Sequence, residues 1–177
     1  MRYENPNIES SYRANNLGET LYEVVLDFKP KKIIEFGTLN GYSAVAMAMA
    51  LDKLGRGKIK CYDLWTTYPH KHTSMQDCES NIRAYGLENY IELHYGNFWD
   101  WEVEEADLIH IDLSNDGDII ERVVEKLKGF KGRIIFEGGT KERDEVEWMK
   151  KYNKKPILQA DITYEVLNPD FPSISII

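Results

Sequence analysis

Cysteine is scarce in this 177-residue chain, which holds only Cys61 and Cys78. The two form no C-x-x-C and no metal-ligand spacing, which excludes a disulfide framework and a zinc ribbon and predicts two reduced thiols. Long apolar runs are missing, so no segment is expected to span a bilayer, and the opening MRYENPNIESSYR is too polar for a secretion signal. Both absences point to a cytoplasmic protein with no membrane partner. Basic charge is short as well: 22 Lys and Arg stand against 30 Asp and Glu, a net charge of −8. Nucleic-acid binders present a basic stripe to phosphates. The main basic cluster, Lys150, Lys151, Lys154 and Lys155, reads instead as a solvated helix end.

Certain phosphate loops are missing too. The stretch KKIIEFGTLNGYS runs from an apolar segment into a turn, with Gly37 and Gly41 four positions apart. A dinucleotide fingerprint needs a glycine where Leu39 stands, so NAD and FAD are disfavoured. No G-x-x-x-x-G-K-[ST] occurs, and no G-x-S-x-G, which removes a nucleoside triphosphate loop and a serine-hydrolase elbow. The remaining pattern, Glu35-x-Gly37-x-x-x-Gly41, suits a ligand with a ribose and little phosphate charge.

Strand and helix patterns alternate along most of the chain. KKIIEFG, GKIKCYDLW, YIELHYGN, ADLIHIDL and GRIIFEGG read as strands. Residues 8–28 read as one helix closed by Pro30. YSAVAMAMALDKLG, SMQDCESNIRAYGL, GDIIERVVEKLKGF and KERDEVEWMKKY read as further helices, with Ser74 a candidate N-cap and Gly55 and Gly86 candidate stops. The tail from Lys155 shows no helical period and reads as two β runs around the turn NPDFP. The expected fold is α/β, a doubly wound, mostly parallel seven-stranded sheet ending in an antiparallel hairpin. No linker or repeat divides it, so residues 1–177 are expected to be one domain, with 1–29 a helical segment and candidate substrate lid.

In such a sheet a ligand sits beyond the carboxyl ends of the strands. Asp63 ends the second strand, where an acid accepts from ribose hydroxyls; Gly96 and Asn97 end the third, where the amide suits a purine edge; Asp112 ends the fourth. The ordered series resembles the class I S-adenosylmethionine (SAM)-dependent methyltransferases, whose fold is Rossmann-like. EFGTLNGYS resembles their first motif, Asp63 their ribose-binding acid, GN at Gly96 and Asn97 their adenine-contacting GD, and LIHIDLS and KGRIIFEGG their fourth and fifth strands. The resemblance runs from about Lys31 to Ile177. It implies SAM as cofactor, bound by Glu35, Gly37, Gly41, Ser43, Asp63, Leu64, Trp65, Gly96, Asn97, Phe98 and Asp112.

The nearest look-alikes are small-molecule O-methyltransferases, which implies methyl transfer to a hydroxyl of a small molecule. Some of these hold Mg²⁺ or another divalent cation between acids ending the fourth and fifth strands, and Asp112 and Glu137 match those two places. Two departures stand out: Gly138 occupies a position where such enzymes often offer Asn or Asp, and Glu137 is longer than the usual Asp. Asp116 is the remaining candidate for a third oxygen. Asp112 is a candidate catalytic group, and without a metal His72 or His70 is the candidate general base. His110, inside a buried strand, reads as a satisfied core histidine. Trp65 reads equally as a cover for adenine or as packing, and Trp99 and Trp101 as packing. NPDF at Asn168 resembles the motif of enzymes that methylate amino groups of bases, but it lies in the terminal hairpin and reads as a turn. The alternatives are an N-methyltransferase of a small molecule or protein and a non-catalytic SAM-binding module. Nothing in the sequence speaks to oligomeric state.

Overall fold

In the computed structural model, which describes residues 1–67 and 73–177, the apolar run KIIEF forms β1 (Lys32–Phe36) at the centre of one sheet. With it pair β2 (Lys58–Asp63), β3 (Ile91–Tyr95), β4 (Leu108–Ile111), β5 (Arg133–Glu137), β6 (Glu165–Asn168) and β7 (Ile174–Ile176), in the order β3-β2-β1-β4-β5-β7-β6. The first five are mutually parallel; β7 runs antiparallel to both β5 and β6. The chain leaves β1 toward β2 and later returns to place β4 on the other side of β1. That reversal opens a crevice at the carboxyl ends of β1 and β4.

Alternation along the strands divides the core in two. Ile33, Leu108 and Ile135 face one cluster, shared with α1 (Leu17–Phe28), α2 (Tyr42–Leu54) and α3 (Met75–Ala84). Ile34, Phe36, Ile109, Ile111, Ile134 and Phe136 face the other, shared with α4 (Gly117–Lys126). Helix α2 is buried from Tyr42 to Leu51 because it lies between the sheet and α1, which explains an Ala- and Met-rich run with no polar face there. Ser74 caps α3 in a reciprocal box with Asp77, and Gly55 closes α2, as the sequence predicts. Among the described residues no helix is long and apolar enough to cross a membrane.

Three elements differ from expectation. The first helix begins at Leu17, not near Ile8, because Asn16 adopts the left-handed conformation (φ 54°) and residues 11–16 form turns. The Tyr3 hydroxyl donates to Asn16 Oδ1 at 2.6 Å, and Asn5 Nδ2 donates to Arg13 O at 3.2 Å. Such side-chain bonds compete with helix formation, and they leave Ile8 and Tyr12 buried in the core. The predicted helix KERDEVEWMKKY is two short helices, α5 (Lys141–Asp144) and α6 (Glu147–Lys151), separated at the extended Val146. The break is tertiary: Asp144 accepts from the N–H groups of Ile157 and Leu158 at 2.9 and 3.0 Å. The tail begins with a 3₁₀ turn (Ile157–Gln159), so its first β run shortens to β6.

Candidate functional site

A cavity of about 320 Å³ opens at the carboxyl ends of the strands. Gly37, Thr38, Leu39 and Asn40 line it after β1, Tyr62, Asp63 and Leu64 at β2, and Gly96, Asn97 and Phe98 after β3. Asp112, Leu113 and Ser114 line it after β4, Glu137 at β5, with Arg143 and Trp148 beyond. Phe36 at the end of β1, Tyr42 and Ser43 of α2, and Glu9, Ser10 and Ser11 of the N-terminal segment complete the wall. Of the predicted residues, Gly37, Ser43, Asp63, Leu64, Gly96, Asn97, Phe98, Asp112 and Glu137 meet here. His70 and His72 lie outside the described residues.

On the β1–β3 side backbone conformation shapes the wall. A Cβ on Gly37 (φ 90°) would stand 1.8 Å from the carbonyl oxygen of Asp112, so the glycine serves the close crossing of β4 as well as ligand access. Leu39 is left-handed (φ 49°), a conformation that costs a non-glycine residue about 1–2 kcal/mol. It is clamped from β2: its N–H donates to Asp63 Oδ2 at 2.7 Å, and its carbonyl accepts from Trp65 Nε1 at 2.9 Å. Asp63 Oδ1 accepts from Trp65 N–H at 2.7 Å. One bond to each carboxylate oxygen leaves Asp63 with further accepting capacity toward the cavity. Asn97 Oδ1 accepts from Trp99 N–H at 3.1 Å.

Three predicted cofactor contacts are not in the lining. Trp65 is fully buried, packs edge-on to Tyr95 and holds Leu39 O through its indole N–H. Gly41 is the N-cap of α2, behind the wall. Glu35 points away for a reason of register. It alternates with Phe36 and stands beside Cys61 on β2 and His110 on β4, on the α2 face. Its Oε1 accepts from Ser43 Oγ at 2.5 Å and pairs with His110 Nδ1 at 2.9 Å; its Oε2 accepts from Cys61 Sγ at 3.5 Å. Burial alone would raise the Glu35 pKa, but the hydrogen bonds of His110 and Ser43 outweigh it and hold the carboxyl below its ordinary range. Burial, then the charge of Glu35, push the Cys61 thiol well up, which argues against a nucleophilic cysteine. His110 is thus a satisfied core histidine, and its Nε2 lies 3.4 Å from the Tyr12 hydroxyl. The phenol in turn hydrogen-bonds Asp112; burial first, then the charges of Asp112 and Glu137, raise its pKa.

On the β4–β5 side, side chains make the wall. Arg143 Nε donates to Glu137 Oε1 at 2.8 Å, and both are nearly buried. Arg143 Nη2 donates to Asn115 O at 3.4 Å, while Asn115 Nδ2 ties Ile111 O to Glu137 O, each at 3.1 Å. These residues do not fit a divalent ion. The Glu137 carboxylate already carries a guanidinium. A Cβ on Gly138 (φ 112°) would meet Ile157 Cδ1 at 2.5 Å and Arg143 Cγ at 3.6 Å, so a ligand side chain there would be strained by the backbone and would have to displace Ile157. Asp116 is committed elsewhere: it caps α4 through Ile119 N–H at 2.9 Å and pairs with Lys154 at 3.0 Å. Among the described residues no three acids, histidines or cysteines gather as a metal-binding group.

Sequence reasoning missed Arg143 and Trp148, which sat in what read as one helix; Glu9, Ser10 and Ser11 fall within the N-terminal segment expected as a candidate lid.

Comparison with known proteins bears on this geometry. Residues 34–138 match the family model of a methyltransferase domain. Among solved structures, a putative O-methyltransferase from Klebsiella pneumoniae is 18% identical with a TM-score of 0.64, covering 97% of this chain and 83% of that one. The SAH-bound methyltransferase PaMTH1 of Podospora anserina is 18% identical, TM-score 0.62, over 94% of this chain and 78% of its own. TomG of Streptomyces achromogenes, an O-methyltransferase involved in tomaymycin synthesis and solved in complex with SAM, is 20% identical with a TM-score of 0.55 over 75% of this chain. The present chain spans 58% of the length of TomG.

Proposed function

We propose, from the premise that this chain belongs to the methyltransferase-domain family, that it transfers a methyl group from SAM to a hydroxyl oxygen of a small molecule. The observation that carries this is one cavity lined from the ends of all five parallel strands, with Asp63 and Asn97 on one side and Asp112 on the other. In this reading Asp63 accepts from the ribose hydroxyls and Asn97 donates to adenine beside Leu64 and Phe98. Gly37 lets the methionine portion approach the backbone. The sulfonium methyl then faces Asp112.

The chemistry balances without redox help. The acceptor O–H gives its proton to Asp112, the oxygen lone pair forms the new O–CH₃ bond, and the S–CH₃ electron pair returns to sulfur as a neutral thioether. The sulfonium supplies the driving force, so positioning is the main task of the protein, and a placed base adds about 10²- to 10⁴-fold. His70 and His72 are further candidates for that base. The first 29 residues, through Glu9, Ser10 and Ser11, serve as the acceptor-side wall of a single domain. The two free buried thiols, Cys61 and Cys78, and the net charge of −8 support a cytoplasmic enzyme of a small molecule rather than of nucleic acid.

The test is calorimetry with SAM and SAH, followed by a metabolite screen with methyl-labelled SAM. Saturable binding of both and labelled product are expected; a wild-type chain that binds neither rejects the proposal.

A further inference from the structure

Arg143 is paired with Glu137, one of the two acids between which the resemblance implied a divalent ion. It is held on three sides. Its Nε–H goes to Glu137 at the end of β5, an Nη2–H goes to Asn115 O after β4, and the guanidinium lies 5.8 Å from the centre of the Trp148 ring. The fourth side is the cavity that Arg143, Asp112, Glu137 and Trp148 line together. A guanidinium has five N–H donors, and among the described residues two meet protein acceptors. Glu137 cancels the charge of Arg143 without using its remaining donors. A cation fixed in this way resists swinging, so its N–H groups are preorganised for whatever enters.

We infer that Arg143 is the resident cation of the acceptor end, taking the charge role of a metal, and that it selects acceptors whose reacting oxygen becomes an oxyanion, a phenol or enol rather than an amine. The inference rests on the methyl-transfer reading above. As the acceptor proton passes to Asp112, negative charge grows on oxygen beside fixed N–H donors, which stabilise it. An amine never carries that charge and becomes cationic on methylation, which a guanidinium opposes. The phenol or enol restriction follows from strength. A guanidinium polarises a hydroxyl less than a divalent ion does, so the hydroxyl must itself be acidic. Trp148 and Leu113, which line the same cavity, suit a planar acceptor.

Two probes test it on the full chain. The first is Mn²⁺ alone, read by the resonance of the free ion. The wild type is expected to leave that signal unchanged; stoichiometric uptake abolished by Glu137→Gln would overturn the inference. The second is 4-nitrophenol added to the SAH-loaded protein, whose yellow phenolate reports its ionised state. The wild type is expected to bind the phenolate about tenfold more tightly than Arg143→Gln, the worth of one hydrogen bond to a charged group. Because Arg143→Gln strands Glu137 and can fail to fold, the double variant Glu137→Gln with Arg143→Gln is measured too, and it should show the same loss. Equal phenolate binding by wild type and either variant, or none by the wild type, rejects the inference. SAH calorimetry on each protein separates the causes: SAH bound without phenolate preference sinks only this inference, whereas no SAH binding by the wild type sinks the methyl-transfer reading and this with it.

Discussion

From β1 to β3 the crevice wall is shaped by backbone conformation: glycine at Gly37 and Gly96, a left-handed Leu39, and a carboxylate, Asp63, that binds two N–H groups of its own chain. Beyond β4 the wall is held by side-chain pairings: Tyr12 on Asp112, Arg143 on Glu137, Asn115 between two strand ends. The first kind of wall is set by where the strands end and tolerates little substitution. The second kind is set by side-chain pairings, among them the Arg143–Glu137 ion pair, which can be exchanged as a unit. A site divided in this way can keep one cofactor while its acceptor end varies.

The sharpest way to break the comparison is at Gly37. Alanine there must displace the β4 backbone, because its Cβ would fall 1.8 Å from Asp112 O at a positive φ. Destabilisation above about 4 kcal/mol is expected, read by chemical denaturation. A well-folded Gly37→Ala chain would show that the backbone wall is not rigid.

On the other side, Arg143→Met alone should cost about 3 kcal/mol, because it leaves the buried Glu137 charge without its partner. Adding Glu137→Gln should recover most of that, since the pair is removed together. The double-mutant cycle on denaturation midpoints decides. Additive losses would mean that the two side chains act separately and that the acceptor wall is not built of exchangeable pairs.

Asp63→Ala should weaken SAM binding by about 2 kcal/mol, the size of hydrogen bonds to a charged group, and should also loosen Leu39, whose N–H it holds. Calorimetry on wild type and variant measures the first effect. Equal affinity would remove Asp63 from the cofactor site.

The same division explains what was legible in the sequence. Gly37, Asp63, Gly96 and Asn97 are local: each follows an apolar strand by a fixed offset, and strand ends were recognisable from their Ile, Val and Phe content. The sheet and its hairpin followed from the order of those strands. Glu35 belonged to the same motif yet faces the other way. The signal was present in period two, since Ile34 and Phe36 share one face and Ile33 and Glu35 the other. Arg143 and Tyr12 carried no such signal. One sat among charges that read as a solvated helix, the other in a polar segment that read as a helix start. Tyr12 acquires its role only when the N-terminal segment closes on β4, 98 residues away, and Arg143 only when the chain after β5 folds back onto Glu137 and the loop after β4. The same tertiary bonds that place Asp144 broke the predicted helix.

The smallest expected effect is a control outside the crevice, and it concerns pH. Glu104 accepts from Lys32 and Lys60 and from the Tyr62 hydroxyl. Burial alone would raise its pKa, but the two lysines outweigh burial and bring it down to about 2 from 4.5. A carboxyl depressed in the folded state contributes stability above its unfolded pKa and loses it as pH falls through the folded value. The contribution is therefore complete above pH 4.5 and gone near about 2. Partial exposure screens the pairs, so Glu104→Gln should cost only about 1 kcal/mol at neutral pH. The cost should shrink to nothing at the acid end, read as denaturation midpoints against pH. SAM affinity should not change, because Glu104 is not in the cavity lining. If that variant lost SAM binding instead, the crevice walls would be coupled to the sheet beneath them, and the two-wall description would need a third member.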